Sequence, residues 1–425
     1  IGAGYVGLIA AVIFANKGYK VDCIDLDVEK INSLSNNKLE VYEMGLQEKL
    51  TLAIQADNLK FSTDYENIDQ AEAIFIAVGT PQADNGSADL SYFYAAIEQI
   101  KTRINNNAII VVKSTVPPGT CNKLQQYLQK QNLANPVVMN PEFLREGCAI
   151  NDFLNPERVV IGTFSQHAKE LMLKIYSSWQ NTTKIVTDPT TAEMIKYASN
   201  VFLATKIAFI NEMSDICEKV GADVEMLSLG IGADKRIGKD FLKTGPGFGG
   251  SCFPKDINAL INVVNEQGLD NKILPAVLSS NIDRQFHMLS KITSIVGGNL
   301  IGKNIGVLGL TFKANTDDVR YSPAMDIISL MLDKGANLKV FDPYGMENAK
   351  AILPQLTYTK HAEDVAQSSH AIIILTEWSQ FIDINWPLMH TQMTNPIVID
   401  LRNLFPQGHL AKLGFLYHCL GRSFC

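Results

Sequence analysis

Short apolar runs alternate with segments of helical periodicity in the first part of the chain. Residues 71–81, 107–120 and 136–143 are apolar stretches of strand length, and each is stopped by Gly, Pro or Asn. Before them, the pattern predicts a helix that ends near Gly18 and a strand over residues 20–25. Strands that alternate with helices predict parallel crossovers and a doubly wound α/β sheet.

The periodicity changes from about residue 190. Residues 191–221 carry apolar side chains at helical spacing, and no strand candidate follows before a glycine-rich loop at 245–250. Residues 255–268 and 273–286 again show the helical pattern. The sequence therefore predicts an all-helical middle block.

A third block repeats the pattern of the first. Residues 303–313 are strand-like, and residues 322–335 are helical. NKGYKVDCIDLD at 16–27 and DKGANLKVFDPY at 333–344 both leave a helix at Lys-Gly and enter a strand that ends in Asp. We therefore expect two Rossmann-like units around a helical spacer, with domains at 1–189, 190–298 and 299–425.

Composition narrows the class of protein. A chain of 425 residues with 46% hydrophobic and 19% charged residues is typical of a folded protein of two or three domains. The formal charge of −7 argues against nucleic acid as a partner. No apolar run reaches the roughly eighteen residues of a membrane span. Seven scattered cysteines do not suggest a disulfide framework, so a reducing cytoplasm is the expected location, and no metal site is predicted.

The first glycines match a dinucleotide-binding fingerprint. A GxGxxG pattern opens the first helix, and Asp25 follows about twenty residues later at a strand end. A carboxylate there can hold a ribose diol and would repel a 2′-phosphate, which favours NAD over NADP. The alternative is only a tight strand–helix turn. The fingerprint residues are Gly2, Gly4, Tyr5, Val6 and Gly7.

Polar residues follow several strand candidates. GTP at 79–81 and STVPPGT at 114–120 come directly after strands, and NPEFLREG places Glu142 and Glu146 four residues apart after another. Ligands of doubly wound sheets bind at this edge. The alternatives are ordinary turns and solvated surface acids.

Lys196 and Asn200 are spaced i, i+4 on the predicted long helix, so both project from one face. They could direct an ammonium and an amide at one reacting oxygen. The alternative is a lysine that extends its ammonium to solvent beside an unrelated amide.

The loop GPGFGGSCFPKD at 245–256 holds the most specific signal. Its glycines let the backbone approach a ligand, and Pro254 could begin a helix that contains Lys255 and Asp256. Cys252 would then lie just before a helix N-terminus and near a lysine, and both lower a thiol pKa from its usual value of about 8.5. A catalytic nucleophile is favoured over an inert packed thiol.

These residues together closely resemble the nucleotide-sugar 6-dehydrogenases, the family of UDP-glucose and GDP-mannose dehydrogenases. The resemblance runs from GAGYVGL at 2–8 to DLRN at 400–403. Its motifs include VYEMGL, STVPPGT, NPEFLREG, RIGKDFLKTGPGFGGSCFPKD and TFKANTDDVRYSP. Met44, where the family often has proline, and Pro246 are the departures. The glycine-rich cysteine loop is specific to this family, whereas the GxGxxG pattern is not.

The resemblance implies a reaction. Such enzymes use two NAD to oxidise C6 of the sugar from alcohol to carboxylate, through a thiohemiacetal and a thioester on the cysteine. UDP-glucose is the expected substrate. The long middle helix would form a homodimer interface, Arg236 would reach the sugar in the neighbouring subunit, and the second α/β unit would bind the UDP end.

The resemblance also assigns roles to residues. The catalytic residues would be Cys252, Lys196, Asn200, Asp256, Glu142 and Thr115, and which of them is the general base stays open. Cofactor contacts would come from the fingerprint and from Asp25, Lys30, Thr80, Ser114, Thr115, Glu146, Lys255 and Arg320. Substrate contacts would come from Glu142, Phe143, Leu144, Arg145, Lys196, Asn200, Arg236, Lys243, Gly247, Phe248, Gly249, Phe312, Lys313 and Arg402.

Three alternatives stay open at this point. A sister enzyme could act on UDP-N-acetylhexosamine or GDP-mannose. A two-electron hydroxyacid dehydrogenase shares the glycine fingerprint and a Lys-x-x-x-Asn helix, but it needs no cysteine loop. A non-catalytic nucleotide-sugar sensor would have no use for Cys252, Lys196 and Asp256 together.

Overall fold

The computed structural model describes residues 1–422, and these divide into two compact units. The first unit comprises residues 1–199 and 258–270, and the second comprises residues 200–257 and those from 271 onward. The strands are β1 (Val21–Ile24), β2 (Leu59–Ser62), β3 (Ala73–Ile76), β4 (Ile109–Val112), β5 (Val137–Met139), β6 (Arg158–Gly162), β7 (Thr183–Thr187), β8 (Asn304–Leu308), β9 (Asn337–Phe341), β10 (Thr357–Tyr358), β11 (Ala371–Ile374), β12 (Ile397–Asp400) and β13 (Leu416–His418).

The α-helices are α1 (Tyr5–Asn16), α2 (Val28–Ser35), α3 (Leu46–Gln55), α4 (Ser91–Ile100), α5 (Thr120–Lys130), α6 (Ala149–Leu154), α7 (Gln166–Ile175), α8 (Pro189–Val220), α9 (Val224–Gly232), α10 (Phe253–Glu266), α11 (Ile273–Ile295), α12 (Pro323–Asp333), α13 (Met346–Ile352) and α14 (Trp386–Gln392).

The first unit contains two sheets, with the strand orders β1-β2 and β3-β4-β5-β6-β7. The first residues of the chain join them: the Gly2 amide donates to the Ile24 carbonyl at 2.7 Å, and the Ala77 amide donates to the Ile1 carbonyl at 2.8 Å. All four residues of β4 are buried, as expected for a central strand covered on both faces. The predicted strands at 20–25, 71–81, 107–120 and 136–143 are therefore confirmed as the cores β1, β3, β4 and β5.

Two strands of this sheet were not predicted. β6 and β7 pair in parallel with each other, but β5 and β6 meet antiparallel through Met139 and Gly162. The predicted parallel, doubly wound sheet is therefore confirmed apart from this contact. An apolar run such as RVVIG reports strand formation but carries no information about direction.

The second unit contains a six-stranded sheet in the order β10-β9-β8-β11-β12-β13, with all of its pairs parallel. Relative to the chain this is the 3-2-1-4-5-6 order of a doubly wound fold. Strand β11 is fully buried, and helix α12 begins with Pro323 in its first turn. The predicted second α/β unit is confirmed.

Within residues 1–422, the segment between β7 and β8 contains helices α8 to α11 and no strand. The predicted helical middle block is confirmed, and α8 alone has 32 residues. No helix in the described part of the chain is both long and apolar enough to cross a bilayer. Those same residues hold no cluster of three or more His, Cys, Asp or Glu that could bind a metal ion.

Candidate active site

The three fingerprint glycines have different surroundings. Gly2 has a φ of +94°, and a Cβ there would lie 2.7 Å from the Ala77 carbonyl oxygen. A Cβ on Gly7 would lie 1.9 Å from the Gly2 carbonyl oxygen, so no side chain fits between helix and strand. A Cβ on Gly4 would meet no atom within 4 Å. Close packing therefore explains two of the glycines, while the third faces open space.

Asp25 lies against this turn. Its Oδ2 accepts the Ala3 amide at 2.7 Å, its Oδ1 accepts the Asp27 amide at 3.1 Å, and Lys30 Nζ lies 3.4 Å from Oδ2. Gly4 caps helix α1 without a side-chain hydrogen bond, and the first turn carries no acidic residue. Exposed amides at a helix N-terminus suit a pyrophosphate, and the open space at Gly4 leaves room for it. The residues present therefore fit a dinucleotide.

The corresponding acid in the second unit does a different job. Asp342 at the end of β9 is fully buried and accepts hydrogen bonds from the amides of Leu310, Tyr344 and Gly345 and from the Trp378 indole. Since protein donors already surround this carboxylate, it has no capacity left for a ribose diol. In the second unit, the Asp that ends the repeated strand therefore stabilises the fold and does not bind a nucleotide.

Hydroxyl side chains connect the strand ends of the first unit. Thr80 Oγ1 donates to the Thr115 carbonyl at 2.8 Å, and Ser114 Oγ donates to the Val78 carbonyl at 2.7 Å. These bonds hold the loops after β3 and β4 together at the carboxyl edge of the sheet. The predicted residues Thr80, Ser114 and Thr115 are thus brought together.

Glu142 and Lys196 form a buried ion pair in the first unit. Lys196 Nζ donates to Glu142 Oε1 at 2.8 Å, and the side chains are only 3% and 7% exposed for the lysine and the glutamate. Glu142 Oε2 also accepts the Leu144 amide at 2.6 Å. Burial alone would raise the Glu142 pKa, but the Lys196 charge and these hydrogen bonds outweigh it and hold the pKa below its ordinary value.

Lys113 is a buried cation that the sequence analysis passed over. It directly precedes Ser114, is 3% exposed, and its Nζ lies 3.3 and 3.4 Å from the Asn140 side-chain and backbone oxygens and 5.6 Å from the centre of the Phe153 ring. Burial lowers the pKa of Lys113 to about 8, opposed by the Glu142 charge and assisted by Lys196. The available signal was a lysine at the end of an apolar strand.

Glu43 is a second residue that sequence reasoning did not assign. It belongs to VYEMGL, is buried, and hydrogen-bonds the Tyr5 hydroxyl. Its Oε2 also accepts the Gly147 amide at 2.7 Å. Glu43 therefore ties the fingerprint helix to the turn that follows Glu146.

Cys252 lies at the start of helix α10 in the second unit. Its carbonyl accepts the Asp256 amide at 2.9 Å, which is the first hydrogen bond of the helix. The thiol is partly exposed, and its Sγ lies 3.7 Å from Ser251 Oγ. The predicted placement at a helix N-terminus is therefore observed, with the helix beginning at Phe253.

Asp256 is the centre of a buried polar group beside it. Asn200 Nδ2 donates to Asp256 Oδ2 at 2.6 Å, and Lys255 Nζ donates to Oδ1 at 2.5 Å. Asp256 is 1% exposed, and Asn200 is also buried. A carboxylate that an amide and an ammonium hold in one orientation can accept a proton from a reacting hydroxyl or water.

Neighbouring residues of the second unit leave no room for side chains at two glycines of the cysteine loop. A Cβ on Gly249 would lie 2.1 Å from the Tyr321 carbonyl oxygen, and one on Gly250 would lie 2.8 Å from the Phe312 ring. Gly250 also donates its amide to the Arg320 carbonyl at 3.0 Å. The predicted substrate residue Phe312 thus packs directly on the cysteine loop.

Several predicted site arginines are engaged by acids or carbonyls. Arg402 donates to the carbonyls of Leu375 and Phe312, both at 2.8 Å. The other three form ion pairs with nearby acids and are largely exposed: Arg145 with Asp152, Arg236 with Asp234, and Arg320 with Asp318. Lys243 is exposed, and Lys313 Nζ lies 5.6 Å from the centre of the Phe312 ring.

Three family models cover most of the chain. They describe the NAD binding domain, the central domain and the UDP binding domain of the UDP-glucose/GDP-mannose dehydrogenase family, and they match residues 1–180, 190–283 and 306–407.

Individual relatives are similar over the full length. The chain is 49% identical to the UDP-glucose 6-dehydrogenase of Rickettsia conorii, over 99% of this chain and 98% of the relative. It is 42% identical to UDP-glucose 6-dehydrogenase TuaD of Bacillus subtilis, over 99% and 92%. The structure of a UDP-glucose dehydrogenase from Pyrobaculum islandicum superposes with a TM-score of 0.90 at 37% identity, covering 98% of this chain and 95% of that one.

Proposed function

The chain belongs to the UDP-glucose/GDP-mannose dehydrogenase family, and we propose that it oxidises C6 of UDP-glucose to give UDP-glucuronate through a covalent bond to Cys252. The observation that carries the proposal is the position of Cys252 at the N-terminus of α10, where the helix dipole favours the thiolate. Full-length similarity to UDP-glucose 6-dehydrogenases supports the choice of substrate.

The reaction takes four electrons in two steps. NAD supplies the hydride acceptor, and two molecules are consumed per sugar. The C6 alcohol loses a hydride and a proton to become an aldehyde, and Cys252 Sγ adds to the aldehyde carbon as a thiohemiacetal. Loss of the second hydride gives a thioester, which water hydrolyses to the carboxylate and the thiol. The covalent bond keeps the aldehyde in the site.

Fixed donors and acceptors support these steps. The Lys196 ammonium and the Asn200 amide, one helical turn apart on α8, would stabilise the alkoxide and the oxyanion. Asp256 and Glu142, with Thr115 and a water molecule, would carry the protons and activate the hydrolytic water. Asp256 suits the general base, because Asn200 and Lys255 hold it in a single orientation.

Binding of the two nucleotides is proposed for the residues assigned from the sequence. Asp25 would hold the NAD ribose, and the open space at Gly4 would take the pyrophosphate. Phe312, Lys313 and Arg402 would contribute to the UDP-sugar side. The cytoplasm is proposed as the location from the free thiols of Cys23, Cys121, Cys148, Cys217 and Cys252, while Cys419 is disulfide-bonded.

A homodimer is proposed from the surface of α8. Phe202, Phe209 and Ile216 follow one another at intervals of seven residues and are 64%, 46% and 47% exposed. A row of large apolar side chains along one helix face is costly in water and is typical of a helix–helix interface. Arg236, which is 89% exposed, would then reach the site of the other subunit.

One assay tests the function. The purified protein is given NAD with limiting UDP-glucose, and NADH and the sugar product are counted. We expect two NADH and one UDP-glucuronate per UDP-glucose. One NADH per substrate would indicate a two-electron dehydrogenase, and turnover only with UDP-N-acetylhexosamine or GDP-mannose would overturn the substrate choice.

A further inference from the structure

Asn281 on helix α11 holds the backbone of the glycine loop by two hydrogen bonds. Its Oδ1 accepts the Phe248 amide at 2.7 Å, and its Nδ2 donates to the Phe248 carbonyl at 2.9 Å. Both bonds are buried, and Asn281 is 8% exposed. A single amide side chain therefore satisfies both backbone groups of one loop residue, as a neighbouring strand would.

Arg284 holds the same loop from the next turn of α11. The guanidinium is 3% exposed; its Nε donates to the Gly245 carbonyl at 3.0 Å, and it pairs with Asp215. The loop is thus fixed at residues 245 and 248 by helix α11 and at residue 250 by the Arg320 carbonyl.

The fit between Asn281 and the loop is close. Gly247 has a φ of +131°, and a Cβ there would lie 2.8 Å from Asn281 Oδ1. A side chain at residue 247 would therefore clash with the Asn281 amide, so the loop and the amide are closely packed. Only Gly249, Gly250 and Ser251 separate the held residue Phe248 from Cys252, which leaves a short tether between the two.

We propose that Asn281 is a positioning residue for the nucleophile: by holding both backbone groups of Phe248, it keeps Cys252 at the N-terminus of α10. This inference rests on the proposed function, since it assumes that Cys252 is the group to be positioned. Asn281 itself touches no reacting atom. It acts through the loop backbone, and it preserves the orientation of a thiol that adds to an aldehyde.

The test uses Asn281→Leu, which keeps the side-chain volume and removes both hydrogen bonds, and Asn281→Asp, which keeps the acceptor and removes the donor. Asp283→Asn on the exposed face of α11 is the matched control. Each full-length protein is alkylated with iodoacetamide at pH 7 without ligands. Mass spectrometry then compares the labelling rate at Cys252 with that at the exposed Cys148.

We expect the Cys252 to Cys148 labelling ratio to fall about tenfold in Asn281→Leu and by a smaller factor in Asn281→Asp, because the thiolate loses its fixed place at the helix N-terminus. The control should match the wild type. In turnover, kcat should fall about tenfold, while KM for NAD should change less than kcat, because most of the proposed cofactor contacts lie in the first unit. A ratio that is unchanged or increased in both Asn281 variants would overturn the positioning role.

The two proposals fail differently. If the wild type makes no NADH from UDP-glucose, the proposed function is wrong, yet the ligand-free labelling ratio still reports on the loop. If Asn281→Leu does not fold, the Asn281→Asp isostere decides the question, and an unchanged ratio there counts against the inference.

Discussion

Lys196 Nζ donates a hydrogen bond to Glu142 Oε1 across 2.8 Å, and 54 residues of sequence separate the two. Both side chains are removed from water almost completely. Taking two charges out of water is costly, and the attraction between them offsets that cost only while both partners are present. The pair therefore has a role in folding, and in the proposed reaction it would also hold the Lys196 ammonium ready for an oxyanion.

Replacing Glu142 by Gln should lower the stability of the protein, because it leaves the Lys196 charge buried without its partner. We expect a loss of about 3–5 kcal/mol in the free energy of unfolding at pH 7, measured by urea denaturation. The Glu142 pKa is lower in the folded state, so its contribution is present above about 4.5 and is lost as pH falls through the folded value. The difference from wild type should therefore shrink below pH 4.5.

The exposed carboxylate of Glu170 on α7 provides the control for this experiment. Glu170→Gln should change the free energy of unfolding by no more than about 0.5 kcal/mol. A Glu142→Gln variant as stable as the control at pH 7 would show that the ion pair contributes nothing.

Lys113 gives a pH dependence of the same sign in a higher pH window. Its pKa is about 8 in the folded protein and 10.5 as an ordinary lysine, so the unfolded chain binds more protons between these values. Stability must then rise with pH across this window, by about 2 kcal/mol between pH 7.5 and 9.5. We expect Lys113→Met to lack this rise in urea denaturation, while the exposed Lys123→Met keeps it. Equal slopes in both variants would contradict the buried charge.

The sequence predicted local features of the site better than its pairings. The position of Cys252 before a helix followed from Pro254, and the shared face of Lys196 and Asn200 followed from their spacing. The partner of Lys196 could not be predicted, because it depends on which strand end lies beside α8. Lys113 was missed for a related reason: only the surrounding strands make a lysine in KSTV a buried one.

For the fold as well, local elements were predicted better than the pairing between them. The apolar runs of β3, β4 and the three-residue β5 were predicted, whereas the two-residue β10 is too short to leave a periodic signal and the run of β6 was missed. The antiparallel contact between β5 and β6 is a property of tertiary packing, so no local pattern encodes it.

The fingerprint glycines should respond differently to a methyl group. Gly4→Ala places its Cβ in open space at a φ of −71°, so the melting temperature should stay the same while KM for NAD rises tenfold or more, as the methyl meets the pyrophosphate. Gly7→Ala places its Cβ 1.9 Å from a backbone oxygen and should destabilise the protein by about 1–3 kcal/mol or more. Thermal unfolding and NAD titration of both variants measure this. Unfolding of Gly4→Ala, or unimpaired NAD use by it, would remove Gly4 from the cofactor site.

Replacing Cys252 by Ser tests the covalent step directly. A serine hydroxyl is a far weaker nucleophile than a thiolate at neutral pH, so the aldehyde would not be captured and the second oxidation would stop. We expect UDP-glucuronate formation to fall by at least about a thousandfold, equivalent to about 4 kcal/mol in the barrier, while UDP-glucose still binds. Cys148→Ser, at the exposed Cys148, should keep full activity. Product analysis by chromatography and a binding titration measure both quantities, and full acid formation by Cys252→Ser would mean that the oxidation proceeds without a bond to sulfur.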